Sequence, residues 1–190
     1  MEKSVKIQDM EIKYEIILRK VKYWRLEIKS GKLILITPPM FKDHEKIIEK
    51  NKKWIYRKFK EYESSVNEAK EKKLNFKRSE ENFKEIIHEF VKKFSNELNV
   101  SVNRVYFRKM KSRWGSCSSK KNISINRYLI YLPENLIEYL VFHEVAHIVE
   151  LNHSKKFWAI IYSKFPNYKD IEKELALYWF AVRETIIDNQ

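Results

Sequence analysis

The chain has 190 residues, with 39 Lys and Arg against 26 Asp and Glu and a formal net charge of +13. Its 44% apolar content excludes an intrinsically disordered protein, and its single cysteine, Cys117, excludes a disulfide-stabilised scaffold. The first ten residues lack the apolar stretch of a signal peptide, and no uncharged apolar run approaches the roughly 20 residues that cross a bilayer. We therefore expect a globular, cytoplasmic protein without a membrane segment.

The N-terminal part of the chain alternates between apolar and polar residues, as half-buried strands do. This pattern predicts strands at residues 11–16, 24–28 and 32–36, with a hairpin turn at Gly31 between the last two. The period then becomes helical, which predicts helices over 43–66 and 79–98.

Short strands are predicted again between residues 102 and 132, the last of them over 128–132, around a loop at 111–119. From Pro133 onwards the pattern is helical, with breaks near Asn152 and at Pro166. The order of N-terminal antiparallel strands, helices, a small second set of strands and further helices predicts an α+β fold.

A candidate metal site lies in the apolar helix that follows Pro133. There His143, Glu144 and His147 form the pattern His-Glu-x-x-His. Residues four apart on a helix lie about 40° apart around the axis and one turn apart along it, so both imidazoles can reach one metal ion. Glu144 stands beside them, where it can accept a proton from water. Glu150, one turn beyond His147, can either orient a ligand imidazole or pair with a lysine.

A catalytic zinc needs a third protein ligand, and His153 follows His143 by ten residues. A continuous helix would separate the two by about 15 Å along its axis, so the helix is expected to end before His153. Asn152 suits the left-handed position at a helix end, and Ser154 can cap the next helix. Isolated core histidines are commoner than ligands, but here three of the five histidines fall within eleven residues.

The segment 98–133 contains basic residues and no acidic ones, and it includes Trp114-Gly115-Ser116-Cys117. One interpretation is structural, with a tight turn at Gly115, Trp114 packed on the metal-binding helix and Cys117 buried. The other places this loop at a substrate cleft. Cys117 as a fourth ligand would close the metal site, whereas three histidines beside Glu144 are the catalytic arrangement.

These motifs closely resemble those of the YgjP-like metal-dependent hydrolases, relatives of the SprT-like and WLM zinc peptidases. The resemblance is carried by Lys111-x-Arg113-Trp114-Gly115-Ser116-Cys117-Ser118, His143-Glu144-Val145-Ala146-His147 and Asn152-His153-Ser154-x-x-Phe157-Trp158. It implies that His143, His147 and His153 bind one zinc ion per chain and that Glu144 is the catalytic base. The core that follows the N-terminal region is zincin-like by this resemblance. The charged stretch 68–78 is the predicted boundary between the region of strands and helix over 1–76 and the core over 77–190, and the two are expected to form one compact unit.

The expected function is that of a zinc metallopeptidase, which cleaves peptide or protein substrates with zinc-activated water and Glu144 as general base. Arg113, Tyr162 and Tyr168 are candidate donors to the oxyanion. The alternative is a basic, nucleic-acid-associated protein in which the segment 98–133 docks on phosphates. In that case the zinc would be structural or would act on DNA-bound proteins.

Overall fold

The computed structural model describes residues 2–29 and 31–187. The chain divides into two compact units, Met1–Glu68 and Ala69–Gln190. Strands and helices succeed one another in separate blocks, which confirms the predicted α+β class. Among the described residues, every helix is too short or too polar to span a lipid bilayer. The domain division after residue 76 stays a prediction.

The first unit contains a four-stranded sheet in the order β1-β2-β4-β3. Its strands are β1 Glu2–Ile7, β2 Met10–Leu18, β3 Arg25–Lys29 and β4 Lys32–Thr37. β2 and β4 are parallel, and the other two pairs are antiparallel. Gly31 has φ of 71°, which confirms the predicted turn between β3 and β4, while Ser30 lies outside the described residues. The sequence did not predict β1, whose Ile7 is buried in the core of this unit.

Two helices follow this sheet, α1 over His44–Lys50 and α2 over Lys52–Lys70. The prediction of one continuous helix over 43–66 was therefore wrong. The break is at Asn51, whose Nδ2 donates to the carbonyl of Ile47 (2.7 Å) and so ends α1. Apolar side chains of both helices, including Ile48 and Ile55, belong to the same core as the sheet. A continuous apolar pattern does not reveal a one-residue break, because buried residues of one core lie on both sides of Asn51.

The second unit begins with α3, Glu80–Glu97, whose N-cap Ser79 accepts a hydrogen bond from the amide of Asn82 (3.1 Å). This confirms the predicted helix. A three-stranded sheet follows in the order β5-β7-β6. Its strands are β5 Arg104–Arg108, β6 Gly115–Cys117 and β7 Asn122–Asn126, with β7 parallel to β5 and antiparallel to β6.

Two local predictions for this region were wrong. The segment Arg127–Tyr131 is a 3-10 helix instead of a strand, and it begins where the side chain of Asn126 accepts a hydrogen bond from the amide of Tyr128. Gly115 belongs to strand β6 instead of a tight turn. Apolar residues alone could not distinguish the 3-10 helix from a strand, because residues 128–131 are a short apolar run without alternation.

The remaining helices are α4 over Glu134–Val149, α5 over Lys155–Lys164 and α6 over Tyr168–Val182, which continues into a π-helical turn. Helix α4 packs against α3, α5, α6 and strand β6. Its buried residues therefore lie on almost every side, and they are Leu136, Ile137, Tyr139, Leu140, Val141, Phe142, Glu144, Val145 and Ala146. The helix that carries the candidate site is the centre of this unit.

Candidate metal centre

The structure brings His143, His147 and His153 together. His143 and His147 lie one turn apart on α4, and His153 lies in the connection from α4 to α5. One ring nitrogen of each lies within 4.8 Å of the other two, and the Nε2 atoms of His143 and His153 are 3.1 Å apart. His143 and His147 are half-buried, whereas His153 is exposed. Among the described residues, this is the group of donors that could hold a metal ion.

His153 reaches this position because α4 ends at Val149. Glu150 has extended backbone angles, φ of −138° and ψ of 106°, so the chain leaves the helix axis there. Asn152 has no positive φ, and its predicted left-handed conformation was wrong. The predicted role of Ser154 is confirmed, since its hydroxyl accepts a hydrogen bond from the amide of Phe157 and caps α5.

The ring of His147 is oriented by the backbone at the end of α4. Its Nδ1 lies 3.1 Å from the carbonyl oxygen of Glu150. Because a carbonyl oxygen can only accept, Nδ1 carries the proton and the lone pair is on Nε2, where it can bind a metal ion. The sequence singled out Glu150 for its carboxylate, but the atom that orients His147 is the main-chain oxygen.

A buried aromatic ring contacts all three histidines. Phe157 is fully buried, and its ring centroid lies 4.9 Å from that of His143, 4.4 Å from that of His147 and 4.8 Å from that of His153. The next residue, Trp158, stacks on His153 with ring centroids 5.5 Å apart. Consecutive residues of α5 therefore hold the imidazoles in place.

The surroundings of His143 and His147 favour the uncharged imidazoles that metal binding requires. Burial, and then the neighbouring His147 and His153, lower the pKa of His143 to about 3. Burial also lowers the pKa of His147, against the opposing effect of its hydrogen bond to the backbone. Neutral imidazoles offer lone pairs to a cation, so these pKa shifts favour metal binding.

Glu144 is the buried carboxylate of the site, and only 4% of its surface is exposed. Its Oε2 has no hydrogen-bond partner among the described residues, which is uncommon for a buried polar atom. Burial raises its pKa to about 8, and the positive charge of Arg113 acts in the opposite direction. Such an unpartnered carboxylate oxygen is available for a proton, water or substrate.

The three donors fit a zinc ion. Zinc in proteins is commonly bound by imidazole nitrogens at about 2.0–2.1 Å, and two ligands of one tetrahedral ion then lie about 3.3 Å apart. The separation of 3.1 Å between His143 and His153 is close to that value. Cys117 does not belong to the group of donors. Burial, and then the charge of Glu144, raise the pKa of its thiol to about 11, so the thiol keeps its proton at neutral pH.

Residues 64–178, more than half of the chain, match the model of the YgjP-like metallopeptidase domain. The chain belongs to the YgjP-like metallopeptidase family. This confirms the resemblance found in the motifs, and it assigns the chain to the metal-dependent peptidases. All the candidate site residues lie inside the matched segment.

No protein of curated function matches the chain. Two similar solved structures are the metallopeptidase zymogens of Pyrococcus abyssi abylysin and Methanocaldococcus jannaschii jannalysin. Abylysin is 24% identical with a TM-score of 0.44, and jannalysin is 29% identical with a TM-score of 0.41. Each similarity covers 47% of this YgjP-like chain and 90% of the solved one.

Proposed function

We propose that this YgjP-like protein is a zinc metallopeptidase that binds one zinc ion through His143, His147 and His153 and uses Glu144 as general base. The observation that carries the proposal is the convergence of three imidazoles within 4.8 Å, next in sequence to a buried carboxylate with an unpartnered oxygen. Three nitrogen ligands leave a position of a tetrahedral ion open, which is the arrangement of catalytic zinc sites.

The roles of the residues follow from their surroundings. When bound, zinc would polarise the peptide carbonyl and make water more acidic. His147, held by the carbonyl of Glu150, and His153, stacked on Trp158, keep their donor atoms directed at the site. Glu144 would accept a proton on its free Oε2 and deliver it to the leaving amine. Its burial and its unpartnered oxygen suit a group that takes up a proton and passes it on.

Among the predicted donors to the oxyanion, Arg113 is our candidate because its charge acts on Glu144. Arg113 and Tyr162 are both exposed, so exposure does not separate these two candidates. Tyr168 stacks on Trp158 with ring centroids 4.9 Å apart, and Trp158 in turn stacks on His153.

The substrates we propose are peptides or proteins, and we place the metallopeptidase core in residues 77–190. The match of 64–178 to a metallopeptidase domain supports the class of substrate, and it overlaps most of the proposed core. It also favours the peptidase function over the alternative of a nucleic-acid-associated protein.

The test combines metal analysis with turnover. Protein purified without chelator should contain about one zinc per chain and should cleave members of a fluorogenic peptide library. Glu144→Gln should keep the zinc and lose turnover, because the amide cannot accept the proton. An absence of bound zinc after zinc is offered, or full turnover by Glu144→Gln, would contradict the proposal.

A further inference from the structure

We propose that Gly115 is a positioning residue for Glu144. Because Gly115 has no side chain, strand β6 can lie directly against the Glu144 carboxylate and fix where it stands. The inference rests on the proposed function, since the position of Glu144 matters for catalysis only if Glu144 is the base. The steric relationship itself can be tested without zinc or substrate.

The contact between the two residues leaves no room for a Cβ atom. A Cβ at Gly115 would lie 2.5 Å from Oε1 of Glu144 and 2.8 Å from both Cδ and Cγ. These distances are shorter than real Cβ contacts, which essentially never fall below 3.0 Å. Since three atoms of the side chain are involved, a rotation of the carboxylate alone would not relieve the clash. The side chain of Glu144 would have to move as a whole.

The backbone at Gly115 cannot easily retreat from this clash. Gly115 is paired with Ile125 in the antiparallel β6–β7 ladder. The preceding residue, Trp114, accepts a hydrogen bond from the amide of Asn126 (2.8 Å) through its carbonyl. Its indole Nε1 donates to the carbonyl of Leu175 (3.2 Å) in α6. Strand β6 is thus held by its pairing with β7 and by the hydrogen bond from Trp114 to α6.

Helix α4 cannot move away from a Cβ at Gly115 either, because it lies in the core. Glu144 itself is 4% exposed, and the next two residues, Val145 and Ala146, are fully buried in the core. The least costly response to a Cβ is therefore a changed conformation of the Glu144 side chain, which displaces its carboxylate. The three atoms nearest to that Cβ all belong to Glu144 and none to a histidine. We expect the displacement to spare the metal ligands.

A double-mutant cycle on chelator-treated protein tests the steric relationship. Gly115→Ala should lower the folding equilibrium constant about tenfold more in the wild-type background than in the Glu144→Ala background, which lacks all three clashing atoms. An equal effect in the two backgrounds would overturn the proposal. If Gly115→Ala alone does not fold, recovery of folded protein in combination with Glu144→Ala supports it, and failure of both overturns it.

The other glycine of the chain provides the matched control. A Cβ at Gly31 would lie 3.2 Å from the ring of Tyr62, and φ of 71° strains any substitution there. Gly31→Ala should therefore destabilise the protein by the same factor with and without the Glu144 side chain. If the effect of Gly31→Ala differed between the wild-type and Glu144→Ala backgrounds as much as the effect of Gly115→Ala does, the coupling would not be specific. That result would overturn the proposal.

A second arm measures the consequence for catalysis once peptide cleavage by the wild-type protein has been established. Gly115→Ala should retain its zinc and keep KM within about twofold, whereas kcat should fall about a hundredfold, because a small misplacement of a catalytic group has that effect. An unchanged kcat would overturn the catalytic part of the proposal. A wild-type protein without zinc or turnover would overturn the proposed function and leave the result of the stability cycle standing.

Discussion

The ring of Phe157 lies nearly parallel to that of His147, with an angle of 22° between the planes and 4.4 Å between the centroids. The same phenylalanine meets His143 and His153 with its ring at a steep angle to theirs. Phe157 is fully buried, and its amide donates to the cap residue Ser154. One core side chain thus restrains all three candidate ligands, which reduces the conformational freedom that a metal ion would have to remove.

Substituting this ring should weaken metal binding. Phe157→Leu leaves an apolar side chain but removes the flat surface against the imidazoles. We expect the zinc affinity to fall about tenfold, which is typical for residues that orient ligands. Competition with a chromophoric chelator measures the affinity. Phe165→Leu is the matched control, because its ring contacts Tyr139 and Phe142. Equal losses in both variants would contradict a specific role of Phe157.

The exposed histidine can be removed without harm to the fold. Since His153 is exposed, His153→Ala should change the free energy of unfolding of zinc-free protein by less than about 0.5 kcal/mol. Its zinc affinity should nevertheless fall by more than the roughly hundredfold that an outer residue can contribute, because a ligand is lost. Isothermal titration with zinc measures this. His88→Ala, outside the donor group, should bind zinc like the wild type; an equal loss there would contradict the assignment.

Metal binding should appear as thermal stabilisation. Free zinc at about 100 times its Kd would stabilise the folded protein by about 2.7 kcal/mol, which corresponds to a rise in Tm of about 5–10 °C. Excess chelator should reverse the rise. Differential scanning calorimetry measures both changes. His153→Ala serves as control, because its Tm should respond little to the same additions. An identical rise in that variant would show that zinc binds elsewhere.

Asn126 should be essential for the stability of the second unit. It is fully buried, and its Nδ2 donates to the carbonyls of Met110 (2.9 Å) and Arg113 (2.8 Å). Asn126→Asp keeps the shape but removes both donors and leaves the carbonyls facing an acceptor. We expect the free energy of unfolding to fall by about 3 kcal/mol. Denaturant unfolding measures it, with the exposed Asn82→Asp as a control that should shift by less than about 0.5 kcal/mol.

The sequence predicted the elements that depend on neighbouring residues and whose apolar periodicity extends over several turns. Helix α3 follows from the helical period of residues close in sequence, as the turn follows from Gly31. The 3-10 helix over Arg127–Tyr131 could not be predicted in this way, since its start depends on how Asn126 is held by the chain around Met110. The break at Asn51 was missed because apolar residues of the same core continue on both sides of it.

The sequence by itself determined the donor set, because the geometry of an α-helix places His143 and His147 one turn apart whatever surrounds them. It also required a chain reversal before His153. The tertiary structure decided how that reversal is made and what holds the result. The carbonyl of Glu150 orients His147, Phe157 packs against the three rings, and Gly115 from a separate strand confines Glu144. The contact of Gly115 with Glu144 joins residues far apart in the chain, so local spacing carries no information about it.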